Sequence, residues 1–529
     1  MLVSWKRKYY AMVPIGLFLF SMIPCFLVIP KTPAELFLFI GIYVESTVFY
    51  FGLFLIYVQH GKRLLNDMNR RLKNLEEDKS AKKTKKLLLI NPQNPDKMGL
   101  SKNIAFLHPP MALGVIAAMT PDEFEIKIID ENVDDFDFED ADLVGITSLT
   151  TSISRAYLIA EEYRKRNIPV VMGGVHVSAK QDEALQYVDT IVVGEAESVW
   201  GQVIEDFRAN NLKQKYYGEH LDPSRLVEPR RDLFSNKYLF ATVQTSRGCP
   251  LNCMYCAVTA FNGNKFRQRD PEDILDELER IPQQNIFFVD DNIIGYGKKA
   301  EKRAIQLFKG MVERKLNKKW VTQTSINFAD NPELLYWAKK SGCQVVFIGF
   351  ESPTPEDLKE MNKPINIKRD YQTVLNKIND HGIGVCGAFI YGTDHDTPEH
   401  LKKKSDFIWK IKFNVNVIMI MTPLPGTQLY QKMLDENRLL FTNYPEDWKK
   451  YDTFELLTKI VGSTEDKFWE EYFKITKRLY SLGNFMKMFI YTLFRTKNFE
   501  GALWCLMMNQ AYAKLALQRR EWHEIDRRN

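Results

Sequence analysis

The spacing of hydrophobic positions divides the chain into four stretches. Met12 to Ile29 is one apolar run, broken chiefly by Pro14, Ser21 and Pro24. Leu36 to Val58 is a second, with Glu45 as its only charge. Each is about long enough to cross a hydrocarbon core of ~30 Å at ~1.5 Å per residue. Only Pro30 to Glu35 lie between them, so residues 1–60 read as a transmembrane helical hairpin. A buried helical pair is the alternative, to which Glu45 and the prolines lend some support. Lys6, Arg7 and Lys8 precede the hairpin, and Lys62, Arg63, Arg70 and Arg71 follow it. By the positive-inside rule both ends then face the cytoplasm. A cleaved signal peptide fits poorly, because no small-residue site follows the first run and a second span comes at once.

Residues 61–85 are polar and basic, either a stalk against anionic headgroups or a solvated linker. From Lys86 the period changes. Short apolar runs at 87–90, 124–130, 143–148, 170–174 and 191–194 alternate with helical stretches such as Ser154 to Arg166. This predicts an α/β unit over 86–215, a parallel, doubly wound, Rossmann-like (flavodoxin-like) sheet. Ligands of such sheets sit beyond the carboxyl ends of the strands, where glycines and small polar residues gather here. After a linker at 216–238, a second alternating series fills 239–431. Its strands fall at 240–246, 285–290, 321–325, 344–349, 385–391 and 415–421. Six βα units suggest a partial (β/α)6 barrel with its site at the strand carboxyl ends. Residues 432–529 read as a helical C-terminal region with strongly apolar stretches at 485–495 and 502–517. Core packing is the plain reading of these helices; capping the barrel, lining a hydrophobic channel and touching a bilayer are the others.

Charge and cysteine content narrow the chemistry. A net charge of +5 over 529 residues is too small to point to nucleic acid. Of seven cysteines, three cluster and four are scattered, which suits a reducing compartment better than a disulfide framework. The cluster follows the first barrel strand as Arg247-Gly248-Cys249-Pro250-Leu251-Asn252-Cys253-Met254-Tyr255-Cys256. Cys249, Cys253 and Cys256 can hold three irons of a 4Fe–4S cube and leave the fourth iron open. A zinc knuckle or a ferredoxin would want a fourth Cys or His nearby, and the next candidates, Cys343 and His381, are remote. Cys343 and Cys386 lie beside or within strands and read as core. No side chain stands out as a catalytic acid or base.

The Cys-x3-Cys-x2-Cys motif with an aromatic before its last Cys resembles that of radical S-adenosylmethionine (SAM) enzymes. From Lys86 to Tyr430 the chain resembles their cobalamin-binding branch, the class B methylase-like group that includes hopanoid C-methylases and the anaerobic cyclase of bacteriochlorophyll synthesis. The resemblance implies three cofactors: a 4Fe–4S cluster, SAM and cobalamin. It assigns SAM contacts to Tyr255, to Asp290, Asp291 and Asn292, to Ser325 and Asn327, to Glu351 and to the backbone at Gly392. It assigns cobalamin contacts to Pro110, Leu113 and Gly114, to Ser148, to Gly173, Gly174 and His176, and to Gly194 and Glu195. Cobalamin domains that ligate the cobalt through histidine carry Asp-x-His-x-x-Gly. Here that place reads Asp130-Glu131-Asn132-Val133-Asp134-Asp135, so no histidine of this loop reaches the cobalt. His176 reads as a neutral strand-end histidine or, failing that, as a cobalt ligand.

The implied activity is modification, by methylation, of an unactivated carbon of a hydrophobic, lipid-like substrate. The enzyme would be held in the cytoplasmic membrane with its soluble domains facing the cytoplasm. Its expected partners are the bilayer and an electron donor such as flavodoxin or ferredoxin. Two alternatives stay open: radical cyclisation, coupling or oxidation without methyl transfer, and a non-enzymatic membrane-tethered cobalamin or redox sensor. A methylthiotransferase would need three further cysteines in the first domain, and residues 86–211 contain none.

Overall fold

Alternating apolar residues on Leu87-Leu88-Leu89-Ile90 bury on opposite sides of one strand, and this fixes the first sheet. In the computed structural model, which describes residues 85–94 and 108–526 (side chains as far as 516), β1 (Lys85–Asn91) is a central strand. It is flanked by β2 (Phe124–Asp130), β3 (Leu143–Thr147), β4 (Val170–Gly173), β5 (Thr190–Gly194) and β6 (Lys215–Gly218). The order is β2-β1-β3-β4-β5-β6, every pair parallel. Leu87 and Leu89 pack under α1 (Met111–Met119) and α3 (Trp200–Arg208). Leu88 and Ile90 pack under α2 (Ile153–Lys165) on the other face. Strand β6 lies at the start of the stretch that reads as a linker. Gly218 makes it possible: a Cβ there would meet the Glu195 carbonyl oxygen at 2.1 Å.

The second sheet runs β7 (Ala241–Val243), β10 (Asn285–Phe288), β11 (Lys319–Thr324), β12 (Cys343–Glu351), β13 (Gly384–Tyr391) and β14 (Val415–Ile420), in that spatial order and all parallel. It is an open, six-stranded partial barrel whose edges are β7 and β14. Where one strand is predicted over 240–246, the chain splits. Asp290 accepts hydrogen bonds from the Thr245 amide (3.1 Å), the Thr245 hydroxyl (2.7 Å) and the Ser246 hydroxyl. These pull the chain aside into β8 (Ser246–Arg247), which pairs antiparallel with β9 (Arg267–Gln268).

Helices α4 (Glu465–Leu479), α5 (Leu482–Thr496) and α6 (Phe499–Asp526) complete the C-terminal region. The last lies across the amino ends of the barrel strands. Glu500 pairs with Lys319 (2.6 Å), and Asn509 donates to the Asn414 carbonyl (2.8 Å). Ahead of it Asn498 donates to the Gln344 side chain (3.1 Å). Cys505, Cys343 and Cys386 are fully buried in this core. Leu482, Met486, Ile490 and Phe494 recur every fourth residue as an exposed stripe on α5. The helices are thus core on one side and apolar surface on the other.

No helix among the described residues is long and apolar enough to cross a membrane. The hairpin expected at 1–60 and nearly all of the basic linker at 61–85 lie outside the described residues.

Candidate functional site

The carboxyl ends of the two sheets meet, and buried ion pairs join them. Glu195, just past β5, accepts from Arg247 (3.0 Å) and from Arg267 (3.1 Å); Glu197 accepts from Arg247. Burial raises the Glu195 carboxyl, but Arg267 and Arg247 outweigh this and hold it below the ordinary range. Removing either partner would strand a buried charge, so this contact fixes the angle between the sheets.

Two cavities open along the seam. One, of about 360 Å³, lies between Thr147, Gly173, Gly174 and Gly194 on the first sheet and Gln244, Arg247, Val289 and Asp291 on the second. The other, of about 510 Å³, runs past Thr150, Ser178, the short helix Ala257–Asn262, Pro425-Gly426 and Tyr451 to Thr453. Val175, Phe261, Asn262 and Asp291 line both. Glycine is required where the first sheet meets this space. Gly174 has φ +110°, and a Cβ there would meet the Ser148 carbonyl oxygen at 2.6 Å. The Ser148 hydroxyl is buried, with no hydrogen-bond partner among the described residues. An orphaned hydroxyl beside bare backbone fits a large ligand rich in amides, such as cobalamin. Leu113 lines the first cavity. Pro110 only starts α1, and Gly114 packs on Phe234 and Pro229, where a Cβ would come within 2.5 Å and 2.8 Å.

His176 is placed elsewhere. It is buried, its Nδ1 3.3 Å from the Thr150 hydroxyl and its Nε2 3.3 Å from Glu183. Burial lowers its pKa. Glu183 also accepts from Trp448 (3.0 Å) and Tyr157 (3.0 Å). His176 therefore belongs to a network that anchors residues 430–458 to the first domain. The loop after β2 is similarly self-contained: Asp130 accepts from Asn91 (2.9 Å), Asn132 (2.7 Å) and Tyr238 (2.7 Å).

On the barrel side, Cys249, Cys253 and Cys256 occupy one loop that closes at Cys256, whose amide donates to the Cys253 carbonyl. All three are free thiols. Burial raises each, Cys256 up to about 11. Lys363 is close enough to lower all three. Three soft sulfurs in one loop with a cation beside them suit an anionic iron–sulfur cluster with one open iron.

Lys363 also ties the loop to β12. Its Nζ is 2.9 Å from Glu351, and the Tyr255 hydroxyl donates to the same carboxylate oxygen at 2.8 Å. Burial opposes the Lys363 charge, but Glu351 and the nearby cysteines raise its pKa. Glu351 has φ +65° and folds back over Gly349, where a Cβ would meet its Oε1 at 2.0 Å. Tyr255 and Glu351 are thus brought together.

Asn292 donates to Ser325 (3.0 Å), and Ser325 to Asn327, a polar row across the ends of β10 and β11. Gly392, at φ +90°, donates its amide to Asp396 (2.7 Å), which is itself held by Lys404 (2.8 Å). Asp291 accepts from the Gly248 amide (3.1 Å) and Asn262 (3.0 Å), so it braces the cysteine loop. Asp290, expected at SAM, is fully buried and serves Thr245 and Ser246 instead. Lys363, Arg247 and Arg267 carry no mark in the sequence. Each becomes functional only through partners that are far away along the chain.

Comparison with known proteins identifies the family. Residues 99–204 match the B12 binding domain, and residues 243–408 match the radical SAM superfamily. The bacteriochlorophyllide d C-12(1)-methyltransferase of Chlorobaculum tepidum is 31% identical over 77% of this chain and 90% of its own length. The hopanoid C-2 methylase of Rhodopseudomonas palustris is 28% identical over 68% of this chain and 72% of its own. Among solved structures, the cobalamin-dependent SAM radical enzyme OxsB, with aqua-cobalamin and SAM bound, shares the fold. Its TM-score is 0.59 at 15% identity, over 78% of this chain and 71% of that one. The chain therefore belongs to the cobalamin-binding radical SAM family and is an enzyme whose cofactors are a 4Fe–4S cluster, SAM and cobalamin.

Proposed function

We propose that this enzyme methylates an unactivated carbon of a hydrophobic, lipid-like substrate, with Cys249, Cys253 and Cys256 as the cluster ligands. The observation that carries the reading is the shared cavity system. The glycine-lined edge of the first sheet faces, across the same space, the short helix that follows Cys256 and Asp291, which braces the cysteine loop. When bound there, the cluster supplies the electron that splits SAM, and cobalamin carries the methyl group. The chain's own residues bind and orient. Gly173 and Gly174 offer bare backbone to the corrin side, with the Ser148 hydroxyl buried beside them and without a partner among the described residues. Tyr255, Glu351 and Lys363 fix the cysteine loop, while Asn292, Ser325 and Asn327 present a polar row for the sugar of SAM. The Glu195–Arg247–Arg267 contact holds the two faces at a set distance, so that groups bound on either side would be oriented toward one space.

Two further points support a hydrophobic substrate. Relatives act on bacteriochlorophyllide and hopanoid molecules, and the runs at 12–29 and 36–58 suit a chain held in the cytoplasmic membrane, its soluble domains on the cytoplasmic side. A substrate dissolved in the bilayer gains effective concentration from such an anchor. A flavodoxin or ferredoxin would supply electrons. The test is comparative mass spectrometry of lipids and pigments from a deletion strain. Loss of a methylated hydrophobic species, with its unmethylated precursor accumulating, is expected. An oxidised or cyclised product lost instead, with no methyl difference, would overturn the reading.

A further inference from the structure

The barrel is hollow. On β10, β11 and β14 the outward-facing Ile286, Phe288, Trp320, Ile418 and Ile420 are buried under helices. The inward-facing Phe287, Val321 and Met419 stay half-exposed. Closed eight-stranded barrels fill this space with their own branched side chains. Here a cavity of about 480 Å³ remains, a size usual for a small-molecule site. Protein interiors otherwise pack without voids of this kind, so an apolar space this large gains from a guest.

Its chemistry is narrow. Phe287, Phe347 and Met419 form the strand side. Trp504, Met508 and Tyr512 project from α6, the helix laid across the amino ends of the strands, and form the floor. Among the described residues, no Asp, Glu, Lys or Arg lines it. A charged guest would be desolvated there without a partner. His108, against the Phe287 ring at 5.3 Å between centroids, also lines it, and burial keeps both this imidazole and the Tyr512 phenol on the neutral side. Methionines give such a wall room to adapt to a rigid shape. At its upper end the cavity reaches Thr453, which also lines the seam cavity on the cofactor side. Thr453 has φ +70°, an unusual conformation for a β-branched residue, and its carbonyl holds the end of β14 through the Ile420 amide at 2.7 Å.

We propose that this lumen is the chamber for the non-reacting body of the substrate, an uncharged hydrocarbon skeleton, seated against α6 with its reacting carbon turned toward Thr453. The proposal rests on the hydrophobic-substrate reading above and locates it. It makes α6 a specificity element: the helix sets the depth of the chamber, and Met508 meets the end of the guest farthest from the cofactors.

The test uses the full chain, reconstituted with iron and cobalamin in detergent, and a diazirine-bearing C20 isoprenoid alcohol as photoprobe, with cross-links mapped by peptide mass spectrometry. Labelling is expected on the α6 peptide at Trp504, Met508 or Tyr512, and excess squalene should compete it away. Met508→Arg should cut that labelling at least tenfold, while Met508→Leu keeps it. Phe494→Ser, on the exposed stripe of α5, should leave it unchanged. If Met508→Arg fails to take up iron, Met508→Gln, which keeps length but adds polarity, is read in its place. Labelling confined to the exposed stripe, or unaffected by polarity at Met508, would overturn the chamber. The two readings fail separately. Chamber labelling without any methylated product would sink methylation but not the chamber, whereas a methylated product with no chamber labelling would do the reverse.

Discussion

The two sheets end in opposite kinds of surface. The first ends in bare backbone: Gly173, Gly174 and Gly194 line the cavity, and behind Gly174 lies the buried Ser148, whose hydroxyl has no partner among the described residues. The barrel ends in charge and sulfur: three cysteines, Lys363 against Glu351, and Asp291 bracing the cysteine loop. A large flat ligand bearing neutral amides needs room and backbone, so substitution there acts through steric fit. Iron and a zwitterion need ligands and counter-charges, so substitution there acts through electrostatics. The two edges should therefore respond to different kinds of mutation, and each should be separable from the other.

The largest effect is expected at the cysteines. Changing Cys249, Cys253 and Cys256 together to Ala should abolish cluster absorbance and SAM cleavage while cobalamin binding persists. A cluster retained in the triple variant would refute the ligand assignment. Next comes Gly174→Val. With φ +110° and a backbone oxygen 2.6 Å from the new Cβ, it should strain the strand end by about 1–3 kcal/mol. It should also cut cobalamin affinity more than tenfold, measured by retention of the corrin spectrum, with SAM cleavage kept. Equal loss of both functions would break the contrast between the edges.

Lys363→Met should lower the reduction potential of the cluster, because removing a buried cation disfavours the more negative reduced state; Lys363→Arg should restore it. A potentiometric titration followed by electron paramagnetic resonance reads this directly, and a role in packing alone would leave the potential unmoved. Ser148→Ala should weaken cobalamin binding by about 1 kcal/mol, the usual net value of one hydrogen bond, as equilibrium titration would detect. The smallest effect is expected at His176. The Co(II) spectrum should lack nitrogen superhyperfine splitting in the native enzyme, and His176→Gln should leave it unchanged. Splitting that disappears with the mutation would place His176 on the cobalt after all.

Much of this was legible from periodicity. Apolar runs at 87–90, 143–148 and 170–174 mark strands buried on both faces, and such runs are hard to read as anything else. Most of the barrel strands announce themselves similarly. What the pattern hides is side-chain commitment. Asp290 stands in the same Asp-Asp-Asn row as Asp291 and Asn292, yet three hydrogen bonds from Thr245 and Ser246 turn it inward. Gly114 looks like a cofactor glycine but makes room for Phe234. Lys363 lies in an ordinary polar stretch, and its meaning depends on Glu351 folding back across Gly349, a consequence of one positive φ. The lumen is invisible too, since a strand pattern says which residues face inward but not whether anything fills the space between them.

The central claim is that both cofactors act on one hydrophobic carbon. It is tested most directly by incubating the reduced, cobalamin-loaded enzyme with membranes of the deletion strain and SAM carrying a deuterated methyl group. The account predicts that 5′-deoxyadenosine forms and that the intact deuterated methyl group appears on a membrane-extractable product. Formation of 5′-deoxyadenosine with product changes that carry no label would contradict it.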